Sequence, residues 1–303
     1  MMVTPNTRHN DDIDTVTTSK RKQVMTSVHI SPPKTIAVSI SESPDMAVLG
    51  LSNEHFQEAF GEIALYLLAN GANLAYGGDL RRQGFTTLLF ELCERYRRNT
   101  NTKSIATVTN YLAWPVHITM SFAELDKIAS CLHGFARMDL VDLGGSKISF
   151  ENRQRMTSRQ PSDQEWSAGL TAMRKLVCSE TDAHVVLGGR IEDYKGKMPG
   201  IAEEVLVSFE LNHPVFLIGG FGGCAGDIAE TLGLIDAWTG DRPDWPGRHV
   251  FERYGPGNLQ NGLSLEENKL LARSPYISQA VTLILRGLHR LRETNTYNQA
   301  NSD

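Results

Sequence analysis

From residue 34 onward, short apolar runs alternate with longer stretches whose apolar positions recur every three or four residues. Thr35-Ile36-Ala37-Val38-Ser39-Ile40 is a run of the kind that forms a strand buried on both faces. Residues 52–70 place Phe56, Phe60, Ile63, Ala64, Leu67 and Leu68 on one helical stripe, with Gly71 as its stop signal. Asn73 to Tyr76 reads as a second strand entering Gly77-Gly78, and 85–98 as a helix with Leu88, Leu89, Leu92 and Tyr96 inward. Ser104 to Val108 reads as a third strand, and 121–133 as a helix opened by a capping box between Ser121 and Glu124. Met138 to Leu143 reads as a strand ending at Gly144-Gly145, and the polar stretch 146–163 as a loop, a candidate mobile flap.

The alternation continues to the end of the chain. A helix over 165–180, a strand over 184–187, a helix over 201–211, a strand over 214–218 and a helix over 224–232 are expected in turn. Residues 236–262, with Trp238, Pro243, Trp245, Pro246 and Pro256, read as an irregular excursion, followed by helices near 264–273 and 276–292. This pattern predicts an α/β protein, a Rossmann-like and mostly parallel sheet with helices on both faces. The expected organisation is a disordered polar leader over 1–33 carrying Lys20-Arg21-Lys22, one domain over 34–292, and a frayed tail over 293–303. The stripe Ile277, Val281, Ile284, Leu285, Leu288, Leu291 either packs on the sheet or forms a face for a homo-oligomer.

Composition narrows the function. A formal net charge of -5 argues against a general nucleic-acid binder. No apolar run is long enough for a transmembrane helix, and no secretory signal is visible, so a cytoplasmic protein without a membrane partner is expected. The four cysteines are far apart and the nine histidines scattered, so free thiols, no metal site and no cofactor are expected.

In a parallel sheet, ligands bind beyond the carboxyl ends of the strands, so the loops directly after strands carry the candidate chemistry. These are Ser39-Ile40-Ser41-Glu42-Ser43, Gly77-Gly78, Gly188-Gly189-Arg190 and Gly219-Gly220-Phe221-Gly222-Gly223. Such turns let backbone amides approach an anion closely, and phosphate suits them; tight turn geometry alone also accounts for paired glycines. Asp79, Arg81 and Arg82 follow the second loop as lining residues or surface charges. Arg190, Lys195 and Lys197 bring cations that would neutralise a diphosphate, unless they are a solvated basic loop. Pro199-Gly200 signals a helix start. Glu203 and Glu204 then either suit the helix dipole or turn into the pocket, to bond a ribose hydroxyl or act as acid and base. Ser39 and Ser41 are candidate donors to phosphate or ribose, and Gly77, Gly78, Gly188, Gly189, Gly200, Gly219, Gly220 and Gly222 candidate backbone contacts.

At these residues the sequence resembles the SLOG superfamily, the Rossmann-like group that includes LOG phosphoribohydrolases, DprA-type proteins and nucleotide-sensing domains of channels and defence proteins. The resemblance spans roughly 34–235. Gly200-Ile201-Ala202-Glu203-Glu204 matches the GTxxE end of the LOG motif, and Arg174-Lys175 falls close to the LOG Arg-Lys pair. Ile201 replaces the family's Thr, and ten residues, Arg190 to Pro199, separate Gly188-Gly189 from Gly200. The resemblance implies a nucleotide ligand of the ADP-ribose, cyclic ADP-ribose or NAD type and three functional readings. The first is a sensor or signalling module. The second is a hydrolase cleaving an N-glycosidic bond, with Glu204 or Glu203 as acid/base and Arg174 holding substrate. The third is a scaffold without a working pocket.

Overall fold

One seven-stranded sheet organises the described residues, in the order β5-β4-β3-β2-β1-β6-β7. The computed structural model describes residues 34–78, 80, 84–99, 108–132, 136–237 and 243–300, all within the unit Pro33–Asp303. The expected leader, Asp79, Arg81, Arg82 and Trp238 lie outside the described residues. The strands are β1 (Thr35–Ser41), β2 (Asn73–Tyr76), β3 (Val108–Ala113), β4 (Ala136–Val141), β5 (Lys147–Ile148), β6 (Ala183–Gly188) and β7 (Val215–Ile218). All pairings are parallel except that of β4 with β5. The helices are α1 (Asn53–Ala69), α2 (Phe85–Asn99), α3 (Trp114–Thr119), α4 (Phe122–Cys131), α5 (Phe150–Gln154), α6 (Asp163–Glu180), α7 (Gly200–Glu210), α8 (Gly223–Thr231), α9 (Leu265–Arg273) and α10 (Ile277–Ala300). The mostly parallel Rossmann-like α/β architecture read from the alternation is the one observed.

Strand periodicity sorts the core into two layers. Ile36, Val38 and Ile40 of β1 pack with Val185 and Leu187 against Phe56, Phe60 and Ile63 of α1. The same layer takes Val281, Ile284 and Leu288 of α10, so the C-terminal stripe packs inside the chain's own core. On the opposite face, Ala37, Ala75 and Tyr111 meet Met173 and Val177 of α6, while Val186 and Leu217 meet α7 and α8 through Ile201, Val205, Ala225 and Ile228.

Four segments differ from the sequence expectation. The third strand is Val108–Ala113, beyond the β-branched run that suggested 104–108. Asn110 interrupts the apolar pattern there, yet it is fully buried between flanking strands, so tertiary pairing overrides local pattern. Second, the irregular excursion contains two short 3-10 turns, and its Trp245, Phe251 and Leu259 are buried in the layer of α7 and α8. Third, the last helix continues past residue 292 to Ala300.

The fourth is the stretch 146–163, expected as a polar flap. It holds β5 and α5, and Ser149 caps α5 by accepting the Asn152 N–H at 3.2 Å. Arg153, fully buried, anchors it. Its guanidinium donates to the carbonyl oxygens of His117 (2.9 and 3.2 Å), Met120 (2.7 Å) and Met156 (3.2 Å), and to Ser158 Oγ (3.2 Å). These acceptors lie on α3 and its exit and on the chain just after α5, so one side chain ties the segment down. Arg153→Met removes every donor and leaves buried carbonyls unsatisfied. A loss of about 3 kcal/mol or more is expected in urea-midpoint measurements; an unchanged midpoint would refute the anchor.

Candidate functional site

The sheet order places the site. From β1 the chain moves to β2, β3 and β4 on one side, then returns to β6 and β7 on the other. The reversal leaves a crevice beyond the carboxyl ends of β1 and β6. A cleft of about 520 Å³ opens there, roofed by α6 and the β6–α7 loop, within the size range of small-molecule sites. Of the residues predicted from sequence, Ser39, Ser41, Gly77, Gly78, Arg174, Arg190, Lys195, Gly200 and Glu204 line it. Tyr76, Thr119, Trp166, Met173 and Tyr194 also line it and were not anticipated.

The β6–α7 loop is wired into β1. Gly188 and Gly189 have φ of 67° and 105°, backbone that L side chains rarely adopt. This turn lets Gly189 N–H donate to the Ser41 carbonyl at 2.9 Å and Arg190 N–H to Ser41 Oγ at 3.2 Å. Gly188 and Gly189 thus build the junction under the cleft, and the Gly189 amide is used inside the protein. The Arg190 guanidinium is ion-paired with Glu42 at the exit of β1. Lys195 lies with its ammonium 5.1 Å from the Trp166 ring centroid, a cation–π contact inside the cleft wall.

Lys197 does not join them. It lies across α6 in a separate groove of about 710 Å³, with Lys175, Thr171, Ser167 and Asp163. Helical periodicity causes this division: Trp166, Leu170, Met173 and Arg174 face the cleft, while Gln164, Ser167, Ala168, Thr171 and Lys175 face the groove.

Gly219, Gly220 and Gly222 are also outside the cleft lining. Gly219 and Gly220 pack against backbone at Ala272 and Ser274. Gly222 abuts Asp45, whose Oδ2 accepts the Gly223 N–H at 2.6 Å. A carboxylate of the chain itself therefore stands at the α8 N-terminus, where sequence reasoning expected an exogenous anion.

The charged centre is Arg174 with Glu203 and Glu204. Its guanidinium is ion-paired with Glu203, whose carboxylate also accepts the Thr171 hydroxyl. Arg174 Nε lies 3.6 Å from Glu204 Oε1. Only about a tenth of each side chain is exposed. The guanidinium lies against Gly200, where a Cβ would come within 2.6 Å of Nη2, so this glycine makes room for the arginine. With both glutamates ionised the cluster would carry a net negative charge in a buried place. Burial raises the Glu204 pKa, outweighing the attraction of Arg174. The cleft therefore contains a carboxyl biased toward its neutral form.

Behind Glu204 lies a polar chain that sequence reasoning missed. His184, fully buried on β6, has Nε2 2.6 Å from Ser39 Oγ and Nδ1 3.3 Å from Ser208 Oγ. Burial pushes its pKa down to about 3, so the ring is neutral. A signal was available: Ser39 and His184 are polar interruptions in adjacent strands that otherwise read as apolar. Trp166 and Tyr194 left no such signal, because their approach depends on how α6 and the loop fold together. Among the described residues no group of three or more His, Cys, Asp or Glu is placed to hold a metal ion, and none of the helices is long and apolar enough to cross a membrane.

Comparison with known families agrees with this architecture. The family model described as SLOG cluster2 matches residues 31–271. No curated protein matches the chain.

A pH-dependent stability follows from Glu204. A carboxyl whose folded pKa is raised stabilises the fold while protonated, and that contribution is lost as pH rises through the folded value. Glu204→Gln mimics the protonated form. Its melting temperature is expected to exceed that of the parent by more at about pH 8 than at about pH 5. Calorimetry at the two pH values measures the difference; a gain that shrinks with rising pH would contradict the assignment. Arg174→Met, which leaves Glu203 buried without its cation, is expected to cost about 3–5 kcal/mol at neutral pH by the same measurement.

Proposed function

The chain belongs to the SLOG cluster2 family, and from that premise we propose that it binds a nucleotide-derived ligand of the ADP-ribose or NAD type in the cleft at the β1–β6 switch point, as a sensor or signalling module. The observation that carries this reading is the mixture of chemistries on one wall system. Trp166 and Tyr194 supply aromatic surface, Arg190 and Lys195 cations, Ser39 and Ser41 hydroxyls, and Glu204 a buried carboxyl. A base needs a flat apolar partner, a diphosphate needs cations, and a ribose needs hydrogen-bonding groups; the cleft offers each kind. The first turn of α7 at Gly200 and Ile201 adds the positive end of a helix to the same wall.

Charge placement bears on the ligand's size. Arg190 and Lys195 share the cleft, while Lys197 belongs to the adjoining groove. The cleft's own cations suit one diphosphate. Arg190 is held by Glu42 and Lys195 by Trp166, so binding exchanges these internal contacts for phosphate contacts. That exchange moves the β6–α7 loop, a physical route from occupancy to signal.

A second reading has a specific observation behind it. A neutral carboxyl beside a nucleotide site is what N-glycosidic cleavage requires of a general acid, and burial biases Glu204 that way. On this reading the protein is a hydrolase and Glu204 protonates the departing base.

Calorimetric titration with ADP-ribose, NAD, cyclic ADP-ribose and AMP, with chromatography for released base, separates the readings. Saturable binding of at least one nucleotide is expected, and Trp166→Ala should weaken it by about 1–3 kcal/mol if a base stacks there. Release of base that disappears in Glu204→Gln would favour the hydrolase. No binding of any of the four at millimolar concentration would remove both.

A further inference from the structure

We propose that the groove across α6 from the cleft is a second ligand site, which takes a small phosphorylated molecule and is linked to the cleft through Thr171. The groove, of about 710 Å³, lies within the size range of small-molecule sites. Lys175 of α6 and Lys197 of the β6–α7 loop both line it. Neither ammonium has an ion-pair partner among the described residues. The cations of the cleft are different: Arg174 is held by Glu203, Arg190 by Glu42 and Lys195 by the Trp166 ring.

The lining chemistry selects the ligand. Two uncommitted lysines against one carboxylate, Asp163, leave the groove positive in a chain whose net charge is -5. Each ammonium is a compact point charge with three donors, which suits the oxygens of a phosphate carrying more than one negative charge. Ala168 and Ala172, small and apolar on the same helix face, leave space beside the lysines for the carbon frame of such a molecule. Ser167 stands on this wall too, and its Oγ makes no hydrogen bond among the described residues. It is a hydroxyl that the fold's own bonding leaves unused.

The groove and the cleft share no lining residue, and the β6–α7 loop divides them. Lys195 enters the cleft and Lys197 the groove. Gly196 between them lies against the Arg174–Glu203 pair. A Cβ there would come within 3.3 Å of Arg174 Nη1 and 3.8 Å of Glu203 Oε2. The loop and the ion pair form the partition, so the molecule in the groove is distinct from the one in the cleft.

Thr171 connects the two. It lines the groove and donates its hydroxyl proton to Glu203, and Glu203 is paired with Arg174, which lines the cleft. A threonine has one proton to give. An anion in the groove that takes it leaves the Glu203 carboxylate to the guanidinium alone. Occupancy of the groove is thereby felt at a cation of the cleft, and by linkage the effect runs in both directions. This inference goes beyond the nucleotide reading and stands whether or not the cleft takes a nucleotide.

The test titrates the full chain with pyrophosphate and follows the Ala168 and Ala172 methyl groups by NMR, each signal identified by its loss in Ala168→Ser or Ala172→Ser. Saturable shifts of both are expected. Replacing Lys175 and Lys197 together by Ala should weaken binding by about tenfold or more; these side chains are exposed, so the core is untouched. Replacing the cleft's Arg190 and Lys195 by Ala should leave the groove titration in place. No shift at millimolar pyrophosphate, or one that survives loss of both groove lysines, overturns the site. Tighter binding of citrate, run alongside as a carboxylate anion, overturns the phosphate assignment. The link is read at the Arg174 Nε–H signal in the Arg190→Ala, Lys195→Ala background. It should move with groove occupancy and cease to move when Thr171→Val is added; an Arg174 signal that ignores the groove, or responds without the hydroxyl, overturns the link.

Discussion

Arg174 is a single buried cation facing two consecutive carboxylates, and the chemistry of the cleft depends on that shortage of positive charge. Glu203 takes the guanidinium and the Thr171 hydroxyl. Glu204 is left at 3.6 Å from Nε, buried, with neutral groups behind it. The pair belongs to α7 and the arginine to α6, so the cluster also joins two of the helices that cover this face of the sheet. Gly200 is part of the same device, because any side chain there would displace the guanidinium. Buried ion pairs add little net stability; here the arrangement makes two neighbouring glutamates chemically unlike.

The glycine-rich turns, alike in composition, are put to different uses. Gly188 and Gly189 bend the chain so that its amides lock onto Ser41, and this junction holds β1 and β6 together under the cleft. Gly77 and Gly78 line the cleft at the end of β2, with Gly77 so close to Met173 that a Cβ would come within 2.7 Å of its sulfur. The turn after β7 is a packing element, closed by Asp45 and the backbone near Ser274. The difference follows from strand position: β1, β2 and β6 flank the reversal of the sheet, and β7 lies one strand beyond it.

Rigidity around the cleft comes from residues that carry no candidate chemistry. Arg153 fastens the segment before α6 to the carbonyls of α3 and its exit. Trp245 and Phe251 fill the layer beside α7 and α8, with Trp245 Nε1 donating to Asp227 at 2.8 Å. In the β6–α7 loop the two cations of the cleft are each held by a single side-chain contact, Arg190 by Glu42 and Lys195 by Trp166.

Periodicity of apolar residues was enough to specify most of the alternating elements, the parallel sheet and the edge at which the cleft opens, because burial of a strand or a helical stripe is written directly into local spacing. The motif Gly200 to Glu204 and Arg174 were legible through their resemblance to the LOG pattern, whereas the meeting of Arg174 with Glu203, 29 residues apart, was decided by the packing of α6 on α7. Asn110 hid a central strand, and Arg153 turned an apparent flap into a fixed segment, since in both cases polar residues are buried by partners distant in sequence. Which cations share the cleft, why the turn after β7 does not, and the contacts of buried His184 with Ser39 and Ser208 were decided by tertiary structure alone. Contacts of that kind depend on distances between different strands and helices, and no order of residues along one chain contains them.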